Sequence, residues 1–417
     1  MEYLPRTVDA VLGELLAGMG AVLVEGPRAC GKTSTAQQQA RSAVRLDRSP
    51  ELVALADLSP VELLRGDIPR LIDEWQLAPT LWNAIRHEID DRQERGQFIL
   101  SGSAAPHEDI TRHSGAGRFG RLRMRPMSLS ESGASTSGVS LAALRHGGKV
   151  GARSDLTYRD LAEQAVRGGW PGLLGATTRQ AILFNRSYCD DVCETAIPLA
   201  TGVRHDPARL RRLLESMARN ISSEATLQSL ANDVASPGNP VDPKTIATYM
   251  AALAQVFALE ELPAWSVALR SRSRLRTAAK LHLADPSLAC AALGVGVDRL
   301  AGDPEFFGQI FESMVIRDLR ALVAAEFGRV YHYRDNTGLE IDAVIEYPLE
   351  GAWGAVEVKL GSSRISEAER NLLRLRDDRV DLARIGEPTY LAVITGTEHA
   401  YTLPSGVHVI PLGVLTA

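Results

Sequence analysis

Eight residues, Gly26-Pro27-Arg28-Ala29-Cys30-Gly31-Lys32-Thr33, constrain what this chain can fold into more than any others. They match G-x-x-x-x-G-K-[ST] and lie between an apolar run, Ala21-Val22-Leu23-Val24-Glu25, that reads as a buried strand, and residues 34–41, which read as a helix opened by Ser34. A glycine-rich turn between strand and helix points several backbone N–H groups at one place, at the positive end of the helix dipole. This predicts a nucleotide cradle in which Lys32 reaches the β- and γ-phosphates and the Thr33 hydroxyl ligates Mg²⁺, with ATP as the nucleotide.

Such a loop needs acidic partners at the end of a second buried strand. Ile68-Pro69-Arg70-Leu71-Ile72-Asp73-Glu74 supplies them about 40 residues later. Asp73 is expected to hold the Mg²⁺ through water, and Glu74 to orient or deprotonate the attacking water. An acidic helix cap is the alternative for Asp73 alone. A third strand, Gln97-Phe98-Ile99-Leu100-Ser101-Gly102-Ser103, offers Ser101 or Ser103 as a polar sensor of the γ-phosphate, or as an ordinary serine turn. Gly117-Arg118-Phe119-Gly120-Arg121 follows, and Arg118 is the candidate arginine for the transferring phosphoryl group, from its own subunit or a neighbour's. Arg121, Arg123 and Arg125 alternate with Leu122 and Met124, the pattern of a strand with one solvated basic face.

With these residues in view, the chain resembles a group of bacterial and archaeal AAA-type ATP-binding proteins that carry a C-terminal domain of unknown function. The resemblance rests on Tyr3-Leu4-Pro5-Arg6, the phosphate loop, Leu71-Ile72-Asp73-Glu74-Trp75-Gln76, Phe98-Ile99-Leu100-Ser101-Gly102-Ser103 and Ser128-Leu129-Ser130-Glu131. It extends through Gly168-Gly169-Trp170-Pro171 and Leu283-Ala284-Asp285-Pro286 to the C-terminal strands. It implies an α/β fold with an N-terminal P-loop NTPase domain, a parallel sheet covered by helices on both faces. It says more about architecture than about purpose.

A chain of 417 residues suggests two or three domains. There is no run of about 18 apolar residues, so no membrane span is expected, and no secretion signal is recognised. The four cysteines, Cys30, Cys189, Cys193 and Cys290, suit a reducing cytoplasm. Cys189 and Cys193 read as a buried thiol pair rather than a metal site. The net charge of −5 does not by itself favour a polyanion.

Composition divides the chain into an ATPase unit at 1–132, a Gly/Ser/Ala-rich linker at 133–154, a helical segment at 155–300 and a final α/β unit at 301–417. In the middle segment, helical patterns begin near Ala208, Leu227 and Asp242, the last with Asp242 as N-cap and Pro243 at the first position. Helix, helix, turn, helix and then strands is the outline of a winged helix, whose third helix, carrying Lys244, would enter a major groove. Arg270, Arg272, Arg274 and Arg276 then recur at every second residue, so on a strand all four share one side, and Lys280 continues the ridge. Between residues 204 and 280 there are 11 Lys and Arg against 7 Asp and Glu, a basic island in an acidic chain. DNA is the expected partner. A solvated, charge-protected edge strand and a basic face docked on an acidic domain are the alternatives.

The last unit carries a second constellation. Glu312 lies on a helical pattern, Asp342 on a strand, and Val356-Glu357-Val358-Lys359 ends another strand about 15 residues on. That order resembles the PD-(D/E)xK nuclease core, with a restriction-endonuclease-like fold. It implies that Asp342 and Glu357 hold Mg²⁺ while Lys359 stabilises the phosphate or activates water. Such cores also serve as binding relics or scaffolds, and an Asp/Glu–Lys ion pair would satisfy the same residues.

Together these features predict a Mg²⁺-dependent ATPase coupled to DNA in repair, remodelling or defence, forming a homo-oligomer if Arg118 acts on a neighbour. The alternatives are a nucleotide-gated switch acting on a protein partner and an ATP-gated nuclease.

Overall fold

The structure, a computed structural model, describes residues 2–102, 115–266 and 278–417. Ser103, Arg270, Arg272, Arg274 and Arg276 lie outside the described residues.

Five strands, β1 (Ala21–Glu25), β2 (Ser42–Arg45), β3 (Arg70–Asp73), β4 (Phe98–Gly102) and β5 (Phe119–Arg123), form a parallel sheet in the order β2-β3-β4-β1-β5. Its central strands are apolar without alternation because both faces are covered. Val22, Val24, Leu71 and Ile99 pack under the helix Val8–Gly18 and Ala36 of the phosphate-loop helix Lys32–Gln39. Leu23, Ile72 and Leu100 pack on the opposite face, under the helices Pro50–Leu58 and Leu81–Arg92. The α/β class and the two-faced sheet are as expected. Because every strand runs the same way, the segments that follow the strands gather at one edge of the sheet, where open α/β folds place their ligands.

Residues 133–154, expected as a linker, contain two short strands, β6 (Val139–Ser140) and β7 (Ala152–Arg153), that pair with strands close to the C-terminus. Glycine and serine mark the turns around them, and a two-residue strand leaves no apolar run to read. Five helices of eight or more residues follow: Tyr158–Arg167, Thr178–Asp191, Pro207–Arg219, Leu227–Val234 and Pro243–Gln255. Thr157 and Thr177 open the first two with reciprocal capping boxes. Asp242 caps the fifth, accepting from the Lys244 amide at 2.7 Å, with Pro243 at its first position. The antiparallel pair β8 (Leu259–Leu262) and β9 (Lys280–Leu283) comes next.

After the long helix Pro304–Leu322 come β10 (Arg329–Arg334), β11 (Glu340–Tyr347), β12 (Ala352–Lys359), β13 (Tyr390–Thr395), β14 (His399–Thr402), β15 (His408–Pro411) and β16 (Leu415–Thr416). The first six of these join β7 in a seven-stranded sheet in the order β10-β11-β12-β13-β15-β14-β7, antiparallel over its first three strands and parallel across β12, β13 and β15, while β16 pairs with β6. One apolar cluster runs from Leu129 through the middle helices to Leu415, so the middle segment and the last unit share a core. The other face of the sheet packs Val344, Ala355 and Val393 under Ala368 and Leu372 of the helix Ile365–Arg374. No helix among the described residues is long and apolar enough to cross a membrane.

Candidate functional site

The phosphate loop leaves β1 at the carboxyl edge of the parallel sheet. Gly26 has no alternative, since a Cβ there would sit 2.3 Å from the Met124 carbonyl oxygen of the neighbouring strand's extension. Gly31 holds φ at +100°, a left-handed turn that starts the helix directly at Lys32. The Lys32 ammonium donates to the carbonyls of Gly26 at 3.0 Å and Pro27 at 2.8 Å, so the loop curls around its own lysine. The Thr33 hydroxyl donates to Asp73 at 2.9 Å across 40 residues of sequence, and buried Ser101 donates to the same carboxylate. Register explains the meeting: Arg45, Asp73 and Ser101 lie in one row across β2, β3 and β4. Glu74 follows immediately in a left-handed conformation, φ 54°, and accepts a hydrogen bond from the Gln76 amide. Thr33 and Ser101 therefore meet on Asp73, with Lys32 next to Thr33 in the chain and Glu74 next to Asp73.

The loop is also gripped from outside its own sheet. Arg28 pairs with Asp191 at 2.9 Å, at the end of the helix Thr178–Asp191, and the Tyr188 hydroxyl donates to the Arg28 carbonyl at 3.4 Å. Cys30 is fully buried, and its carbonyl accepts from Arg6 at 2.9 Å. Arg6 is itself paired with Glu131 at 3.0 Å, with both side chains almost fully buried. Burial opposes ionisation of Glu131, but Arg6 and the amides of Ser128 and Thr7 hold its carboxyl below the usual range. These contacts give structural work to Tyr3-Leu4-Pro5-Arg6 and Ser128-Leu129-Ser130-Glu131, which sequence alone left as unassigned motifs. Ala29 is exposed on the loop, and Ser34 on the first turn of the helix that follows it.

Arg118 is not part of this site. Its carbonyl accepts from Gly20 and Ala21 at 3.1 Å, at the start of β1, and its guanidinium pairs with Asp90 at 2.7 Å. The phosphate loop begins five residues further along β1, roughly 16 Å away at about 3.3 Å per strand residue. Sheet order, invisible in the local sequence, puts Arg118 at the opposite edge, so it cannot serve the loop of its own subunit. Arg123 and Arg125 also depart from their expected solvated face. They pair with Glu260 of β8 at 3.2 and 2.9 Å, and Arg320 joins them at 2.7 Å. Burial disfavours the Glu260 charge, yet three guanidinium groups hold its carboxyl far below the usual range.

The second constellation also assembles, with one addition. Glu357 and Lys359 on β12 meet Asp342 on β11: the Lys359 ammonium lies 2.6 Å from Glu357 and 3.6 Å from Asp342. Glu312, on the long helix, is turned toward the same place. The added member is Lys280, which does not continue a basic ridge. It is buried, 2.9 Å from Glu312, 2.9 Å from Glu340 and 3.6 Å from Asp342. Strand β9 pairs with β8 and turns this side chain inward, where three carboxylates hold its ammonium above its ordinary pKa despite burial. The carboxylates thus already face two built-in cations. Among the described residues no three His, Cys, Asp or Glu side chains converge as ligands for a metal.

Four carboxylates facing two lysines leave the cluster short of positive charge. Burial first, then the Asp342 carboxylate, push the Glu357 carboxyl up to about 8. The folded chain therefore keeps a proton there that the unfolded chain, with an ordinary carboxyl near 4.5, releases. This contribution to stability is complete below about pH 4.5 and is lost as pH rises toward 8. We expect the stability of Glu357→Gln relative to the native protein to improve by more than about 1 kcal/mol between pH 5 and 8.5, as one pKa unit already supplies. Urea unfolding at the two pH values measures it, and a pH-independent difference would show that Glu357 is ionised throughout.

The remaining assignments are simpler. Lys244 is exposed at the start of its helix. All four cysteines are free, and burial pushes the thiols of Cys189 and Cys193 up to about 12.

Comparison with known proteins gives three family matches along the chain. Residues 19–133 match the family described as AAA domain, which assigns them to a nucleotide-binding fold of ATPase type. Residues 158–299 and 307–415 match two families described as domains of unknown function, DUF8612 and DUF4143 respectively. Over 425 aligned residues the chain is 26% identical to the uncharacterized proteins Mb2031c of Mycobacterium bovis and Rv2008c of Mycobacterium tuberculosis. The alignments cover 97% of this chain and 83% of each relative.

Proposed function

We propose that this chain is a Mg²⁺-dependent ATPase whose nucleotide cycle is coupled to DNA held by the middle segment. The observation that carries the ATPase is the convergence of Lys32, Thr33, Asp73 and Glu74 on one edge of a parallel sheet, with Thr33 and Asp73 2.9 Å apart. This donor set suits the ligands: backbone amides and an ammonium for phosphate, a hydroxyl and a carboxylate for a hard cation. Thr33 and Asp73 would hold Mg²⁺, which when bound neutralises charge on the phosphates. Lys32 would exchange its loop carbonyls for phosphate oxygens. Glu74 would orient the attacking water and accept its proton. Beside the loop, a cavity of about 250 Å³ lined by Tyr3, Leu4, Gly31, Thr35, Gln38 and Pro171 offers an apolar-sided slot for the base.

The DNA partner rests on less. Three helices followed by an antiparallel strand pair, with Lys244 exposed on the third helix, suit a winged-helix reader. The arginines of residues 270–276 fall between the two strands. Arg118 would contribute only from a neighbouring copy. For the C-terminal unit we propose a scaffold or binding role, since Lys280 and Lys359 occupy the space between its carboxylates.

ATP turnover with duplex, single-stranded and branched DNA, and without DNA, tests the coupling. Stimulation by one form is the expected result. Turnover indifferent to all DNA would move the reading to a switch acting on a protein partner.

A further inference from the structure

We infer that Arg45 is the guanidinium that binds the terminal phosphate of the nucleotide within the same chain, a catalytic residue in the role that the sequence suggests for Arg118. The inference rests on the ATPase reading above. Arg45 is the last residue of β2, the edge strand of the parallel sheet. It registers with Asp73, Asp73 with Ser101, and Ser101 with Val24, two residues before the phosphate loop. Side chains in register on parallel strands leave the sheet on the same face. The contacts agree: Thr33, Ser101 and Arg45 all approach the Asp73 carboxylate.

Arg45 differs from the other arginines around the loop in being loosely held. Its guanidinium lies 4.0 Å from Asp73, and its side chain is 28% exposed. Among the described residues no other ion pair or side-chain hydrogen bond of Arg45 is found. Arg28 is tied to Asp191, Arg6 to Glu131 and the Cys30 carbonyl, and Arg123 and Arg125 to Glu260. Five N–H donors fixed in a planar fork, with one distant partner, have most of their hydrogen-bonding capacity left for a ligand. The ligand that belongs beside Asp73 and Thr33 is a phosphoryl group.

During hydrolysis the water oxygen bonds to the γ-phosphorus while the bond from that phosphorus to the β,γ-bridging oxygen breaks. The water proton passes to Glu74, and ADP leaves with the bonding electron pair. Arg45 forms and breaks no covalent bond. It donates to the γ-phosphoryl oxygens, whose charge is spread in the transition state, and so favours that state over bound ATP.

The test compares native protein, Arg45→Gln and Arg45→Lys for steady-state ATP turnover, and for binding of ADP alone and ADP with aluminium fluoride. Arg45→Gln is expected to lose about 10³-fold in kcat, as removal of a transition-state arginine does elsewhere. It should bind ADP like the native protein and lose the extra affinity conferred by aluminium fluoride. Arg45→Lys, which keeps charge without the fork, should fall between the two. Unchanged kcat in Arg45→Gln, or equal weakening of ADP with and without fluoride, would overturn the assignment. Native protein that binds no ADP would remove the ATPase reading itself, and this one with it.

Discussion

Glu74→Gln should bind ADP normally and turn over ATP about 10²- to 10⁴-fold more slowly than the native protein, the range supplied by a positioned general base. The substitution keeps size and hydrogen-bonding reach and removes only the ability to take a proton. The local backbone supports this choice of residue over Asp73. Asp73 is committed, accepting from Thr33 and Ser101. Glu74 is turned away from the strand by a positive φ of 54°, a conformation that costs a non-glycine residue about 1–3 kcal/mol and that tends to survive at functional sites. The turn separates two adjacent carboxylates into different roles, one facing the hydroxyl of the phosphate loop and one turned out of that row toward Gln76. Steady-state turnover alongside an ADP titration decides the matter. Slow turnover with intact ADP affinity assigns the base. Turnover at the native rate would leave Glu74 as a structural turn residue and return the water-activating role to another group.

How far sequence reached depended on the distance over which each contact is encoded. The phosphate loop was legible because strand, turn and helix are consecutive, and Asp73-Glu74 because a buried strand ending in two carboxylates is unusual enough to stand out. The cap of Asp242 on its helix was equally local. Alternation failed where it had to choose between solvent and a remote partner. Arg123 and Arg125 have the period of a solvated face, yet Glu260, more than 130 residues away, fills that face. Lys280 shares the spacing of the arginines before it, but the pairing of β9 with β8 decides which side is inward. Arg118 carried the right chemistry in the wrong row, because nothing in its neighbourhood reveals that β5 lies beside β1 with its start at the far edge. Arg45 had no motif at all, and only the register of β2 against β3 brings it to Asp73.

Arg317→Leu should destabilise the fold by about 3–5 kcal/mol, the loss expected when one partner of a buried ion pair is removed. Arg317 is 2.9 Å from Asp285 and 2.6 Å from Asp318, with side-chain exposures of 4%, 0% and 2%. Both carboxylates hold backbone in turn. Asp285 accepts from the Gly169 amide at 3.0 Å, which sets Trp170 and Pro171 beside the phosphate loop. Asp318 accepts from the Leu129 amide at 2.9 Å, one residue beyond Ser128, whose amide donates to Glu131. Glu131 leads to Arg6, and Arg6 to the Cys30 carbonyl of the loop. The chain of contacts leaves the loop on one side and returns to it on the other, so a break at Arg317 strands two buried charges and loosens both ends. Burial, partly offset by Arg317, already keeps the Asp318 carboxyl above its ordinary value. Without the guanidinium it should rise further and take a proton, so the variant's deficit should grow as pH rises from 5 to 8, where the unfolded chain is deprotonated and the folded one resists. Urea unfolding across that range measures both size and slope. Replacing Asp285 and Asp318 by Leu in the same variant should recover much of the loss, as apolar substitutes for buried ion pairs often do. If instead the single variant loses less than about 1 kcal/mol, the surrounding structure relaxes enough to hydrate the two carboxylates, and the ring around the phosphate loop is not held by this charge.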